Sequence, residues 1–155
     1  MTIRTQLTST LAIALLVASS LTLAAEEKGY WRAVSSTARS ITGDVTLSDE
    51  KITINFAGFT MSRIRTLEPA ELASVFDVDS ASATGAGLYR LNIPAQKRFL
   101  HKNTLCGSAD TQWMVAYASG NDLQLAFFSG DKPPVFTLSA IQNSTDMCGT
   151  YSYTR

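Results

Sequence analysis

Two cysteines are the residues whose type and spacing point most clearly to a chemical role. Cys106 and Cys148 are the only thiols in the 155 residues. Two thiols in an exported chain normally pair, so we expect one disulfide; two buried free thiols are the alternative. The chain has no C-x-x-C pair and one histidine, whereas a structural zinc site needs four ligands. We therefore expect neither redox chemistry, nor a metal, nor a cofactor.

His101 is the one side chain with the chemistry of a proton shuttle near neutral pH. A hydrolase that used it as a base would also need an activated nucleophile, and the G-x-S-x-G pattern is absent. The acidic residues fall in predicted turns and on a predicted helix rather than as a pair facing one cleft. We therefore predict a protein that is not an enzyme, with a small hydrolase based on His101 as the alternative.

The densest basic stretch of the sequence is a candidate binding surface. It comprises Arg90, Lys97, Arg98, His101 and Lys102, with two apolar residues among them. Such a surface could receive a phosphate, a carboxylate or an acidic partner. The alternative is a solvated, charged loop. Over the whole chain, basic and acidic side chains are equal in number, which leaves no field to attract nucleic acid.

A period of two in the apolar residues predicts β-strands through most of the chain. In the clearest run, residues 51–56, the side chains of Ile52, Ile54 and Phe56 are expected on one face. Further strands are predicted over residues 45–47, 60–67, 89–93, 135–141 and 149–155.

The strongest hairpin pattern lies in residues 113–128, with a turn at 119–122 that contains Gly120 and Asn121. Both faces of its first strand are apolar, which predicts a strand covered on both sides. Residues 68–76 break the β pattern. Pro69 stands where a first helical turn accepts proline, and apolar residues then recur at helical spacing.

Together these elements predict an all-β fold with one short helix near residues 68–76. We favour an antiparallel barrel of about eight strands over a β-sandwich, because closure removes exposed strand edges. The length is that of a single domain, which we place at residues 26–155.

Gly29-Tyr30-Trp31 resembles the G-x-W motif with which lipocalins and their relatives begin their first barrel strand. In that family an arginine late in the barrel packs on the tryptophan, and here Arg155 ends the predicted last strand. The resemblance implies a lipocalin-like, or calycin-like, barrel in which Trp31 and Arg155 help to close the wall. An ordinary core tryptophan is the alternative.

Residues 1–25 are predicted to be a cleaved signal peptide. Arg4 precedes an apolar run over 11–18, and small residues end at Ala24 and Ala25. The run is shorter than the roughly 20 residues that a membrane span needs, and no later segment could span a bilayer. We expect the polar start that follows, Glu26 to Lys28, to be frayed.

We therefore predict an exported binding protein of the periplasm or exterior. It would hold a small apolar ligand inside the barrel or a protein partner on its loops. A structural envelope protein is a further alternative.

Overall fold

The structure, a computed structural model, describes residues 26–83 and 85–155. It is a closed barrel in which each strand pairs antiparallel with the next and the last pairs with the first. The strands are β1 (Gly29–Ala33), β2 (Val45–Leu47), β3 (Lys51–Ile54), β4 (Ala57–Thr66), β5 (Gly87–Ile93), β6 (Thr111–Ser119), β7 (Asp122–Phe128) and β8 (Met147–Thr154). The predicted antiparallel barrel is confirmed, and the sandwich is not formed. The predicted signal peptide lies outside the described residues.

Short helical segments connect some of the strands. They are α1 (Ser36–Ile41), α2 (Pro69–Val75), α3 (Leu138–Gln142) and a 3₁₀ turn at Leu100–Lys102. The helix predicted near residues 68–76 is α2, where the Glu71 carboxylate accepts the backbone N–H of Glu68 at 2.9 Å and caps the first turn. The sequence pattern missed α1 and α3, each of which is shorter than two helical turns and so shows little repetition of its apolar face. Among the described residues, no helix is long and apolar enough to cross a membrane.

The strand predicted over residues 135–141 is wrong. Pro133 and Pro134 lack the backbone N–H groups that a strand ladder needs, so the chain there remains irregular. Thr137 then caps α3, its hydroxyl oxygen accepting the Ala140 N–H at 3.3 Å. The apolar residues that resembled a strand instead serve a loop and one helical turn.

The prediction that Phe56 continues the strand and shares one face with Ile52 and Ile54 is also wrong. β3 ends at Ile54, and Asn55 and Phe56 form the two-residue turn that leads into β4. The φ angles of these turn residues are 46° and 65°. The Phe56 ring therefore points into solvent and is fully exposed.

Large side chains fill most of the barrel interior. Trp31, Phe127, Tyr151 and Tyr153 are each at most 1% exposed. The rings of Phe127 and Tyr151 meet edge to face, with centroids 5.3 Å apart. Such packing fills the centre of the described barrel with large aromatic side chains.

A second core lies outside the barrel wall. Trp113, Val115 and Tyr117 project from the outer face of β6 and are buried with apolar residues of α2, such as Leu72 and Val75. The predicted coverage of this strand on both faces is therefore confirmed. Because this second core covers one side of the wall, we expect a site that is open to solvent to lie at the two ends or on the uncovered wall.

The two ends of the barrel are unlike. We call the end where β1 begins the mouth; residues 26–28, the β2–β3 turn and the β4–β5 connection lie there. We call the opposite end the base; it carries α1, the Asn55–Phe56 turn, the 3₁₀ turn and the loops around α3. The predicted disulfide is present at the base, where Cys106 bonds to Cys148.

Candidate functional site

The sequence predicts that residues 26–28 are frayed, but hydrogen bonds hold them across the mouth. The indole N–H of Trp31 donates to the Glu27 carbonyl oxygen at 2.8 Å. Arg155 donates from Nη2 to the Glu26 carbonyl oxygen at 2.6 Å, and its guanidinium lies 4.2 Å from the centroid of the Trp31 ring. The segment is thus fixed to the seam where β1 meets β8.

The Glu27 side chain turns from this segment into the barrel and is only 11% exposed. Its Oε2 accepts the Tyr89 hydroxyl at 2.6 Å, and the same hydroxyl accepts Arg63 Nη1 at 2.8 Å. Arg63 Nη1 also lies 3.7 Å from Glu27 Oε2. Glu27 Oε1 is buried and has no hydrogen-bond partner among the described residues. We call Glu27, Arg63 and Tyr89 the mouth cluster.

The environment of the mouth cluster shifts the proton affinities of two of its members. Burial raises the pKa of Glu27, although the Tyr89 hydrogen bond, the Arg63 charge and the nearby Gly87 N–H oppose that rise. The Gly87 N–H does not have hydrogen-bond geometry with Oε1, which stays without a partner among the described residues. Burial and the neighbouring Glu27 carboxyl raise the pKa of Tyr89 to about 12. The Tyr89 phenol therefore stays protonated at neutral pH and keeps donating to Glu27.

A glycine makes room for the cluster. A side chain at Gly87, the first residue of β5, would overlap both the Arg63 guanidinium and the Tyr89 ring. Arg63 pairs with Tyr89 in the β4–β5 register, just before an irregularity that separates it from Arg65. That irregularity helps to place the two arginines in different surroundings, because Arg65 pairs with Glu71 of α2 at 2.7 Å.

A cavity of about 300 Å³ adjoins the cluster and opens to solvent. Its apolar wall is formed by Leu47 and Met61, and its polar wall by the mouth cluster. At its rim, Lys28 Nζ and Asp49 Oδ1 form an exposed ion pair at 2.7 Å. Its volume falls at the lower end of the range of small-molecule pockets, and its lining is partly apolar and partly polar.

The predicted basic stretch does not line this cavity. Arg90 lies on the outer wall, where its guanidinium covers the Trp113 ring at 4.7 Å and donates to the Gln112 carbonyl oxygen at 3.0 Å. Both contacts are with residues of β6, so the Arg90 side chain packs against the outer core. Lys97 lies near the Phe99 ring, and Arg98 donates to the carbonyl oxygen of its own loop residue Ala95.

His101 and Lys102 lie in the 3₁₀ turn at the base, both with positive φ. His101 Nδ1 is 3.0 Å from the Ser40 carbonyl oxygen, to which Asn103 also donates at 3.1 Å. The two contacts tie the turn to α1. In the described parts of the chain, no group of three or more His, Cys, Asp or Glu side chains could hold a metal ion.

Sequence reasoning missed the whole mouth cluster. Glu27 stands two residues before β1, in a start that looks like an ordinary solvated terminus. One signal was present: Arg63 interrupts the alternation of the strand that also contains Met61. A charged residue in such a position predicts a polar contact at a barrel end, but not its partners.

Comparison of the sequence with protein-family models finds no match, and no similar curated protein or solved structure is found. Only the geometry of this chain therefore bears on its function.

Proposed function

We propose that this chain is an exported, non-enzymatic binding protein that holds a small amphipathic molecule at the barrel mouth. The observation that carries the proposal is the buried Oε1 of Glu27, which has no hydrogen-bond partner among the described residues and belongs to a side chain lining an open cavity. Buried carboxyl oxygens are normally satisfied. A hydroxyl or amino group on a bound molecule would supply the missing donor.

The same geometry defines the kind of ligand. Leu47 and Met61 offer an apolar surface, while Arg63 offers a cation that is 41% exposed in its side chain. A molecule with one apolar face and one polar or anionic end would satisfy both walls. A wholly apolar ligand deep in the barrel is disfavoured, because Trp31 and the interior aromatic residues already occupy that space.

The disulfide supports export. Cys106 and Cys148 are bonded in the structure, and such bonds persist mainly in oxidising compartments outside the cytoplasm. This agrees with the signal peptide predicted from residues 1–25, and we place the protein in the periplasm or outside the cell.

A binding role accounts for His101 better than catalysis does. Its hydrogen bond to the Ser40 carbonyl ties two surface segments together, and it lies at the base, away from the mouth cavity. A catalytic base needs an oriented nucleophile within hydrogen-bond reach. The described hydrogen bonds give His101 a carbonyl partner and no hydroxyl.

The proposal can be tested with the amphipathic fluorophore 1-anilinonaphthalene-8-sulfonate, whose sulfonate suits Arg63 and whose rings suit Leu47 and Met61. We expect saturable binding that falls at least tenfold in Arg63→Met. Arg65→Met is the matched control, because Arg65 lies on the same strand but pairs with Glu71 of α2 and does not line the mouth cavity. Equal effects of the two substitutions, or no saturable binding by the folded protein, would overturn the proposal.

A further inference from the structure

Phe56 occupies a position that the folded chain alone does not favour. It is the second residue of a two-residue hairpin turn, has φ of 65°, and exposes its whole ring. Such turns prefer glycine there, because a left-handed backbone strains any residue with a Cβ. Among the described residues the fully exposed ring has no packing that offsets this cost. Backbone outliers of this kind are found most often at functional sites.

A groove of about 320 Å³ lies beside this ring on the outer wall near the base. Tyr30, Thr46 and Thr53 are register partners on three adjacent strands, so their outward side chains form a row along the groove. Tyr30 is 57% exposed, and Phe56 and Leu100 complete the apolar part of the lining. Two exposed aromatic rings therefore flank a row of hydroxyl groups.

The polar groups of the groove are uncharged or already satisfied. Within residues 26–83 and 85–155, the side chains of Thr46, Thr53 and Asn55 make no hydrogen bond to another residue. Asp44 is the one charged side chain of the lining, and its carboxylate accepts both the Tyr30 hydroxyl and the Ala33 N–H. The groove thus offers free hydroxyls and an amide, but no unpaired charge.

This combination matches the surface of a sugar. A pyranose ring has an apolar C–H face that stacks on an aromatic ring, and a rim of hydroxyls that bond to hydroxyl and amide groups. A peptide would fit less well, because β2 is paired on both sides and leaves no free strand edge for backbone hydrogen bonds. We propose that the groove binds a neutral oligosaccharide, which stacks on Phe56 and Tyr30 and bonds to Thr46, Thr53 and Asn55.

The test is a titration of the folded protein with three neutral trisaccharides: cellotriose, maltotriose and triacetylchitotriose. Amide NMR shifts should saturate for at least one of them and be largest around Thr46, Thr53 and Asn55. Phe56→Gly should weaken that binding at least tenfold, and Thr53→Val should weaken it severalfold. Leu138→Ala, which removes an exposed apolar side chain elsewhere at the base, should leave it unchanged.

Loss of binding by Phe56→Gly can be attributed to loss of the ring, because glycine suits the turn and should not impair folding. The proposal is overturned if none of the trisaccharides binds saturably, or if Phe56→Gly and Leu138→Ala have equal effects. It is also overturned if a photoreactive phenylalanine at position 56 crosslinks only to polypeptide in the native host. These outcomes are independent of ligand binding at the mouth, because the groove lies on the outer wall and shares no lining residue with the mouth cavity.

Discussion

The guanidinium of Arg155 lies over the ring of Trp31, with its central carbon 4.2 Å from the ring centroid. Arg155 follows β8 and Trp31 belongs to β1, so the contact spans the seam that closes the barrel. The same arginine donates to the Glu26 carbonyl oxygen, and the indole donates to that of Glu27. Closure of the wall and placement of the mouth cluster therefore depend on one set of contacts.

Arg155→Ala should lower the free energy of unfolding by about 1 kcal/mol, because the cation–π contact at the seam is lost. Urea denaturation at pH 7 measures this. Arg155→Lys should lower the free energy of unfolding by less than Arg155→Ala does, since lysine keeps the charge but not the planar stacking. Arg98→Ala, which removes a loop arginine that donates to Ala95, is the control. Equal losses for Arg155→Ala and Arg98→Ala would count against a special role for the seam.

Glu27→Gln should gain stability relative to the unchanged protein as the pH rises from 4 to 7. The folded-state pKa of Glu27 is raised from its ordinary value of 4.5, chiefly by burial. Its stabilising contribution is thus full below that value and is lost as the pH rises through the folded pKa. Glutamine resembles the neutral acid at every pH. A stability difference that does not change with pH, or that changes in the opposite direction, would contradict the raised pKa.

Tyr89→Phe should lower the free energy of unfolding by roughly 1–3 kcal/mol at pH 7, because the buried Glu27 carboxyl loses its phenol donor. The loss should be smaller at pH 4, since the lost hydrogen bond favours the ionised carboxylate. Tyr117→Phe is a suitable control, because Tyr117 belongs to the outer core rather than to the mouth. Urea unfolding of the unchanged protein, Tyr89→Phe and Tyr117→Phe at pH 7 and pH 4 measures these differences in the free energy of unfolding.

Replacing both cysteines by alanine should cost about 4 kcal/mol, from the loop entropy that the bridge removes in the unfolded chain. The sequence separation of Cys106 and Cys148 is 42. The unchanged protein under reducing conditions should show nearly the same loss. A loss below about 1 kcal/mol in both would mean that the bridge contributes little to the barrel's stability.

Phe56→Gly should raise the free energy of unfolding by about 0.5–1 kcal/mol, since relief of the left-handed strain outweighs the entropy cost of glycine. Asn55→Gly should give a smaller gain, because asparagine tolerates positive φ better than phenylalanine does. Thermal unfolding of the two variants shows which substitution gives the larger gain in stability. A destabilised Phe56→Gly would mean that the ring has a structural role.

The strands could be predicted where one face is buried. Ile52 and Ile54, and later Leu91 and Ile93, alternate with polar residues, and all four point inward. The hairpin at Gly120 followed from its turn chemistry. These patterns are local, so a single sequence is enough to reveal them.

The errors arose where local pattern and tertiary context disagree. Phe56 continues the alternation of Ile52 and Ile54, yet the hairpin register makes it a turn residue. The mouth cluster joins Arg63 and Tyr89, which are register partners on β4 and β5, to Glu27, which reaches them from before β1. No spacing rule relates them. In the basic stretch, residues that are close in sequence are separated in the structure. Arg90 is near Lys97 in sequence, but it lies over the Trp113 ring on the outer wall.

The central claim is that the barrel mouth holds a small molecule. Native mass spectrometry of the protein isolated from its own host tests it most directly. We predict a bound mass on the unchanged protein and on Arg65→Met, and its loss from Arg63→Met. An unchanged protein that carries no added mass, or an Arg63→Met protein that retains it fully, would contradict the claim.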